Sequence, residues 1–547
     1  AMRAADLIVK CLEAHGIERV YCVPGESYLT LLDALYGSSI EIIICRHESG
    51  AGFMAIAEAR LTGKPAVFLV SRGPGATNGS IAVHVAEQDA TPVLLFIGQV
   101  SRTELTRGAF QEVDYRQFFG GMAKGIYEVH EGAKIGEIVT RSLRLAAEGK
   151  PGPVIISLPE DMLSDEAGET VPSPFPLAAA HHGPQDIAAI QAMIDEAAHP
   201  IIVAGAMLRG AKGATALQRF AEALRIPVAV TWKNQDIFDN GSPLYAGHLG
   251  FGNPPKHRQV LANSDLIIAV GTRLGDVASL NYSFPTAPQP KQKLIHIYPD
   301  GEAIGKIFRT DFGLIADPAA VLTDLAAHPR VVSSARESWR SSINDFVREF
   351  QRFTSPEPND AVDFGKVVVS LAAQAPDNAV ITTDAGNMST WVHRHWVMTP
   401  KNTLLGAIAG AMGFGVPTGV AAAIVDPTRM AITFVGDGGM LMTGQELATA
   451  VQYGAKPKIV ISDNGIYGTI RTHQERQFPH RVSGTDLINP DFTAWAKSFG
   501  VFTVTIALGD DIDAKVKEFL AHDGAAVLHV KSSKEALSAF TTLSALN

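Results

Sequence analysis

The chain has 547 residues, and since single hydrophobic cores stop growing at roughly 250 to 300 residues, several domains are expected. Hydrophobic residues make up 46% and charged residues 19% of the sequence, a balance that excludes disorder over most of its length. The 46 basic and 56 acidic residues give a formal net charge of −10. No overall positive field is available to attract nucleic acid, so no nucleic-acid partner is expected.

The cysteines and the apolar segments indicate the cellular compartment of the protein. Cys11, Cys22 and Cys45 form no C-x-x-C pair, which is typical of buried thiols in a reducing compartment. The first residues show no export signal. Residues 403–425 lack charge, but their glycines and Pro417 argue against a membrane-spanning helix. We therefore expect a cytoplasmic protein without a membrane partner.

Short apolar runs alternate with helical stretches in three parts of the chain, a rhythm typical of parallel sheets buried on both faces. The predicted strands are 41–44, 66–70, 93–97 and 154–158, then 200–204, 228–230, 265–270 and 294–297, then 379–383, 431–435, 458–461 and 526–530. A stretch rich in Pro and Ala (172–184) and a charged helical stretch ending in Ser-Pro-Glu-Pro separate these parts. The sequence predicts an α/β protein of three doubly wound parallel-sheet domains, at 1–170, 185–335 and 356–547.

One pair of strand ends carries side chains suited to a cation. Gly436-Asp437-Gly438-Gly439 follows one predicted strand, and Asn464 follows the next, 27 positions after Asp437. Because ligands of open α/β sheets lie beyond the carboxyl ends of the strands, Asp437 and Asn464 should lie side by side. Their oxygens suit Mg²⁺, and Gly438 and Gly439 allow backbone N–H groups to approach a diphosphate. The alternative is that Gly-Asp-Gly is only a turn.

These residues resemble the Gly-Asp-Gly and Asn-Asn motif of the thiamine diphosphate-dependent 2-oxo acid decarboxylases and acetolactate synthases. The resemblance covers nearly the whole chain and implies pyrimidine-binding, central and diphosphate-binding domains in that order. It assigns Asp437, Asn464 and the carbonyl of Ile466 to the metal, and Gly438 and Gly439 to the diphosphate. Asp463 stands where the family usually has the first Asn, which leaves the ligand position intact.

In the first domain, the resemblance assigns Glu48 to the acid that hydrogen-bonds N1′ of the cofactor's aminopyrimidine. A carboxyl held in an apolar cleft can deliver a proton to that nitrogen. The alternative is an acid that stabilises the first turn of a helix.

In the third domain, Gly410-Ala411-Met412-Gly413-Phe414-Gly415 is similar to a glycine-rich run of the synthases. The similarity implies that Met412 wedges between the two cofactor rings and that the Gly410 carbonyl accepts a hydrogen bond from the 4′-amino group. A Met that fills the core is the alternative. Asn387 stands where the synthases have a Gln that contacts the diphosphate.

Three further segments of the first domain resemble parts of the family that surround the reacting carbon. Gly25 resembles the Pro-Gly loop over the thiazolium, and Glu26 occupies the position of an acid in pyruvate decarboxylases. Gln111 matches the Phe-Gln-Glu of the synthases. Arg72 could bind a substrate carboxylate or face solvent.

The central segment around Arg273 partly resembles the FAD-contacting segment of the synthases, with bound FAD as an alternative. The lack of a paired Asp after Arg273 and of a Gly-x-Gly-x-x-Gly sequence argues against it. His473 replaces a Trp that selects larger acceptors in anabolic synthases, which argues against branched-chain amino acid synthesis.

The resemblance implies decarboxylation of a small 2-oxo acid and carboligation to a second carbonyl, in a homodimer or homotetramer that uses thiamine diphosphate and Mg²⁺. Glu48, Gln111 and Glu26 are the candidate catalytic residues. Non-oxidative decarboxylation to an aldehyde is the alternative, followed by a homologue that binds the cofactor without catalysis.

Overall fold

The computed structural model describes residues 1–547 and contains three six-stranded sheets in which every pairing is parallel. The strands are β1 (Arg19–Cys22), β2 (Glu41–Ile44), β3 (Ala66–Val70), β4 (Val93–Gln99), β5 (Gly125–Glu128), β6 (Pro153–Pro159), β7 (Pro200–Ala204), β8 (Val228–Thr231), β9 (Tyr245–Leu249), β10 (Leu266–Val270), β11 (Lys293–Tyr298), β12 (Phe312–Ile315), β13 (Val380–Thr383), β14 (Thr403–Gly406), β15 (Ala431–Gly436), β16 (Lys458–Asp463), β17 (Phe502–Ile506) and β18 (Ala526–Lys531).

Helices connect the strands and cover both faces of each sheet. They are α1 (Ala4–Ala14), α2 (Leu29–Leu35), α3 (Glu48–Thr62), α4 (Pro74–Gln88), α5 (Tyr115–Phe119), α6 (Ile135–Ala147), α7 (Pro184–Glu196), α8 (Ala211–Leu224), α9 (Pro255–Ala262), α10 (Pro318–Ala326), α11 (Ser334–Gln351), α12 (Phe364–Gln374), α13 (Met388–His395), α14 (Gly415–Val425), α15 (Asp437–Thr443), α16 (Leu447–Gln452), α17 (Gly468–Gln477), α18 (Phe492–Ser498) and α19 (Ile512–Ala521). The predicted fold class, three parallel α/β domains, is confirmed.

The strand orders show where ligands can bind. The first sheet runs β2-β1-β3-β4-β6-β5, and the third repeats that order as β14-β13-β15-β16-β18-β17, while the central sheet runs β12-β11-β10-β7-β8-β9. In the first and third sheets the strand order reverses between β1 and β3 and between β13 and β15. Crevices for ligands open beyond the carboxyl ends of strands at such reversals.

The first and third domains share one hydrophobic core. Helix α3 packs along α14, and the ring of Phe53 meets that of Phe414 edge to face, with centroids 5.4 Å apart. Both helices are rich in Ala and Gly, which allows their backbones to approach closely. This contact fixes the end of α3 that carries Glu48 relative to the third sheet.

The uncharged segment 403–425 forms β14, a glycine-rich turn and α14. No helix of the structure is both long and apolar enough to cross a bilayer. All three cysteines are buried and free, as predicted.

Candidate active site

Asp437 and Asn464 follow adjacent strands, as the sequence predicts. In the sheet Gly436 pairs with Ser462, so β15 and β16 end side by side. The carboxylate of Asp437 accepts backbone hydrogen bonds from Gly438 (3.0 Å) and Gly465 (2.8 Å), and Asn464 Oδ1 accepts one from Ile466 (3.2 Å). These contacts hold two oxygen-bearing side chains at one sheet edge, a donor set suited to Mg²⁺.

Asn489 is a residue of this site that sequence reasoning missed. Its Nδ2 donates to Asp437 Oδ2 (2.7 Å) and to Asp463 Oδ1 (2.8 Å), so that one amide links both carboxylates. Burial raises the pKa of Asp437, and the nearby charge of Asp463 raises it further. Asp463 also accepts a hydrogen bond from His529 Nε2 at 2.8 Å. Asp463, which stands where the family usually has an Asn, therefore has hydrogen-bond partners of its own.

Met412 lies against the Gly-Asp-Gly turn. A Cβ atom on Gly438 would meet Tyr467 Cε1 at 2.6 Å and Met412 Cε at 3.3 Å, so only glycine fits at this position. Gly410, at a φ of +66°, has no neighbouring atom within 4 Å of the place where a Cβ would stand. The glycine-rich run and the Gly-Asp-Gly turn thus lie next to each other, with open space beside Gly410.

Asp384, at the end of β13, organises the glycine-rich run. Its buried carboxylate accepts hydrogen bonds from the backbone N–H groups of Gly413 (3.0 Å) and Gly415 (2.9 Å), and from that of Ala385 (2.8 Å). Burial raises the pKa of Asp384 to about 6. Since Gly413 follows Met412 directly, Asp384 fixes the turn that presents the Met412 side chain.

Replacing Asp384 with Ala should weaken binding of thiamine diphosphate about tenfold or more. The change leaves three buried N–H groups without an acceptor, at about 1–3 kcal/mol each, and frees the Met412 turn. Calorimetric titration with the cofactor measures the effect, and Asp384→Asn, which keeps one acceptor oxygen, should lie between wild type and Asp384→Ala. Equal affinities for all three proteins would remove Asp384 from the site.

Asn387 and Asn464 converge on Gly468 at the start of α17. The position of a Cβ on Gly468 lies 3.4 Å from Asn387 Nδ2 and 3.6 Å from Asn464 Nδ2. Asn387 also bonds Thr469 and Thr472 of α17. The two amides form a polar recess beside Asp437.

The first-domain residues gather around the loop that follows β3. A Cβ on Gly25 would lie 2.5 Å from Ser71 Cβ, and one on Gly73 would lie 2.8 Å from the Gln111 carbonyl oxygen. Gln111 adopts a left-handed conformation with a φ of 66°. The loop therefore brings Gly25 and Gln111 together with the start of α4, at the strand reversal of the first sheet.

Glu48 begins α3 and is half-buried. Its Oε1 accepts a hydrogen bond from Asn78 Nδ2 (3.2 Å), and its Oε2 lies 3.3 Å from the place of a Cβ on Gly75. Glu446 of the third domain accepts hydrogen bonds from the backbone N–H groups of Arg46 (2.9 Å) and His47 (3.0 Å). Glu446 and Asn78, which sequence reasoning missed, position Glu48 from both sides.

Arg72 is buried and does not face solvent. Its Nη1 lies 3.0 Å from Glu160 Oε2, and its Nη2 lies 3.8 Å from Glu26 Oε1. Glu26 itself is 83% exposed. The guanidinium is therefore paired with two acids, which leaves it less available to a substrate carboxylate than the sequence alone suggests.

The central segment around Arg273 offers little space. A cavity of about 90 Å³ lies between Arg273, Thr272 and Asp89, whereas ligand sites usually measure roughly 300–1,000 Å³. Arg273 donates to Gln88 Oε1 at 3.2 Å. Trp232 borders both this cavity and a larger one, so the expectation against bound FAD stays a prediction.

Three family models match the chain. The thiamine pyrophosphate enzyme N-terminal TPP-binding domain covers residues 2–118, the central domain covers 187–325, and the C-terminal TPP-binding domain covers 384–530.

The curated relatives agree with these models. The chain is 32% identical to the acetolactate synthase isozyme 1 large subunit of Escherichia coli, over 97% of this chain and 94% of the relative. It is 31% identical to the acetolactate synthase large subunit of Parasynechococcus marenigrum (96% and 85%), and 32% identical to a probable acetolactate synthase large subunit of Methanocaldococcus jannaschii (94% and 90%). The chain therefore belongs to the thiamine pyrophosphate enzymes and is an acetolactate synthase-like member of that family.

Proposed function

We propose that the protein decarboxylates a small 2-oxo acid with thiamine diphosphate and Mg²⁺, and joins the remaining fragment to a second carbonyl. The observation that carries the proposal is the convergence of Asp437, Asn464 and Met412 beside the strand reversal of the third sheet. When bound, thiamine diphosphate supplies a carbon nucleophile and accepts the electron pair left by departing CO₂. The chain binds and orients the reactants.

The residues present fit the cofactor and its metal. Asp437, Asn464 and the carbonyl of Ile466 would hold Mg²⁺, which prefers oxygen ligands shared with a diphosphate. Gly438, Gly439 and Asn387 would contact the diphosphate. Gly410 and Met412 would hold the aminopyrimidine, with the open space at Gly410 in support.

Around the reacting centre we assign roles by position. Glu48 would hold a proton at N1′ of the aminopyrimidine, and Gly25 would lie over the thiazolium. Gln111 would orient the substrate carbonyl. Glu26, whose carboxylate is free apart from Arg72 at 3.8 Å, would supply a proton to the product.

The exposed Glu26 also favours a second candidate, non-oxidative release of an aldehyde. NMR of the products formed from a panel of 2-oxo acids, with thiamine diphosphate and Mg²⁺, separates the two. A 2-hydroxy ketone acid such as acetolactate supports carboligation, an aldehyde supports the second candidate, and no turnover with any acid contradicts both.

We further propose a homodimer as the minimal active unit, with a homotetramer as the larger alternative. The only side-chain hydrogen bond of Glu48 within the chain goes to Asn78 of its own domain. Beside the proposed site, Ile81 of α4 and Leu441 and Met442 of α15 are 37–46% exposed, an apolar surface suited to a second subunit. Glu48 of one subunit would then complete the site at Asp437 of the other.

A mixture of Glu48→Gln and Asp437→Ala subunits, co-refolded, should recover activity that neither variant has alone. Random pairing makes half of the dimers mixed, each with one intact site of two, so we expect about a quarter of wild-type activity. Steady-state assays with mass spectrometry of the mixed dimers test this. An inactive mixture in which mixed dimers form would place each site within one chain.

His473 bears on the choice of acceptor. It is an exposed residue of α17, at the position where the resemblance to the synthases places a large apolar Trp side chain. An extra methylene in a good apolar pocket is worth about 1–3 kcal/mol, or roughly 10–200-fold. His473 does not supply such a pocket, so we expect less than about tenfold preference for 2-oxobutyrate over pyruvate. His473→Trp should raise the ratio of acetohydroxybutyrate to acetolactate in a competition assay. A strong preference for 2-oxobutyrate in the wild type would contradict this role.

A further inference from the structure

A large cavity separates the central and third domains. It measures about 1730 Å³ and is lined by residues of the segment after β8, of β9, α11 and α13, and of the C-terminal segment. Asn387 and Gly410, which we assign to the cofactor, are among its lining residues. The lining also includes Lys233, His248 and His393, whose side chains the proposed reaction does not use.

Lys233, two residues after the end of β8, is the first of these groups. It is only 1% exposed, yet its ammonium group donates no hydrogen bond to the chain, and no carboxylate oxygen lies within 4.0 Å of it. Its Nζ stands 4.4 Å from the centre of the Trp232 ring. Burial lowers the pKa of Lys233 to about 8, which leaves most of the side chains charged at neutral pH.

The nearest acids, Asp89 and Asp384, offset this charge only in part, and neither forms an ion pair with it. Asp384 uses both carboxylate oxygens for backbone N–H groups. Asp89 accepts from the Ile408 N–H and lies 3.7 Å from Arg60. The Lys233 charge therefore has the Trp232 ring as a close partner but no ion pair, so an anion that enters the cavity gains free energy there.

His393 adds a second unpartnered group. It is 6% exposed, its Nδ1 lies 3.1 Å from Gln235 Nε2, and its Nε2 is buried without a hydrogen-bond partner. Burial and the charge of Lys233 lower the pKa of His393, so the ring is neutral. Gln235 Oε1 is likewise buried without a partner, so the Gln235 amide satisfies Nδ1 in either of its two orientations. In the orientation in which the amide donates to Nδ1, the ring proton is on Nε2, and His393 then offers an N–H donor to a ligand in the cavity.

His248 of β9 completes the cluster. Its ring centre lies 6.4 Å from that of His393, and its ring nitrogens have no hydrogen-bond partner in the chain. Burial lowers the pKa of His248 to about 4, so this ring is also neutral and carries one N–H donor. Around the whole cavity five basic side chains face two acidic ones, Asp345 and Glu349, which favours an anionic ligand.

We propose that Lys233, His248 and His393 form a binding site for the carboxylate of an organic acid whose carbon body packs on Trp232. Lys233 supplies the charge, and the two imidazoles supply N–H donors. The binding site itself does not rest on the proposed reaction, whereas its assignment to a carboxylate of the substrate does. Its ligand is either a second carboxylate of the substrate or a separate acid that acts as an effector, and both share this chemistry.

The test uses calorimetry on the full-length protein without cofactor, with succinate and 2-oxoglutarate as probes at pH 7. We expect saturable binding of at least one acid, and about tenfold or greater weakening in Lys233→Met and in His393→Phe. Met keeps the side-chain stem that packs on Gly406 and removes an unpaired buried charge, so Lys233→Met should fold. Lys256→Met is the matched control, since Lys256 is an exposed lysine on the same cavity and should bind within about twofold of wild type.

A second measurement distinguishes a carboxylate that belongs to the substrate from one that belongs to a separate effector. Consumption of 2-oxoglutarate by the loaded enzyme, reduced in Lys233→Met, identifies the substrate as the source. Binding of succinate with no consumption of 2-oxoglutarate identifies an effector. The proposal is overturned if the wild type binds neither acid, or if Lys233→Met and His393→Phe bind them as tightly as the wild type. Neither result depends on whether acetolactate is formed.

Discussion

Replacing Glu48 with Gln should lower turnover by about 100-fold or more while the protein stays folded. The proposed role of Glu48 is to hold and deliver a proton at N1′ of the cofactor's aminopyrimidine, and an amide cannot donate a proton in this way. Positioned proton transfer contributes about 10²–10⁴-fold to enzyme rates. The fold should persist because the amide oxygen of Gln can still accept the hydrogen bond from Asn78.

The decisive measurement is hydrogen–deuterium exchange at C2 of the bound cofactor, followed by quenched NMR. Exchange in Glu48→Gln should slow in step with turnover, while cofactor affinity changes little. Glu41→Gln is the matched control, because Glu41 is an exposed acid on β2, the strand that leads to Glu48, and should behave as wild type. An exchange rate in Glu48→Gln within a few-fold of wild type would remove Glu48 from the mechanism.

Glu446 positions Glu48 through the backbone that precedes it. Glu446 carries no proposed chemical role, yet it holds the backbone of Arg46 and His47 just before α3. Burial raises the pKa of Glu446, and Thr449 donates a further hydrogen bond to it at 2.6 Å. The position of Glu48 is thus set by a side chain of another domain, 398 residues away in the sequence.

The central strands of each sheet were predictable because they are buried on both faces and read as continuous apolar runs. The sequence prediction omitted β1, β5, β9, β12, β14 and β17, and five of these are sheet edges. β5 and β17 are half-buried and carry polar residues, so their composition does not separate them from loops. These five edge strands are identified only by their pairing with distant neighbours, whereas the sixth edge, β2, was predicted from its apolar run.

The site residues also divide into those that follow predicted strands and those that lie in irregular segments. Asp437, Asn464 and Gly438 follow predicted strands, and their spacing indicated a shared edge before any coordinates. Asn489 lies in an irregular segment with no local sequence pattern. Only the tertiary fold places its amide against Asp437 and Asp463. Asp384 directly follows a predicted strand (379–383), so the strand-end rule that selected Asp437 could have found it.

Replacing Asp437 with Ala should weaken cofactor binding by about 100-fold, which is about 2.7 kcal/mol, and excess Mg²⁺ should not restore it. The proposed metal joins the protein to the diphosphate oxygens, so losing its charged ligand breaks that connection. Calorimetric titration of thiamine diphosphate at rising Mg²⁺ concentrations gives both quantities. A chelator added to the wild type should reproduce the loss.

The control for Asp437→Ala is Asp463→Asn, because both carboxylates bind the same Asn489 amide but only Asp437 is assigned to the metal. Asp463→Asn removes one negative charge from the same edge and should change cofactor affinity by less than about tenfold, since the remaining charge effect is partly screened. If the two variants lose affinity equally, the effect is one of local charge and the metal has no specific ligand at Asp437. If neither loses affinity, Gly436-Asp437-Gly438 is only a turn, and the metal binds elsewhere.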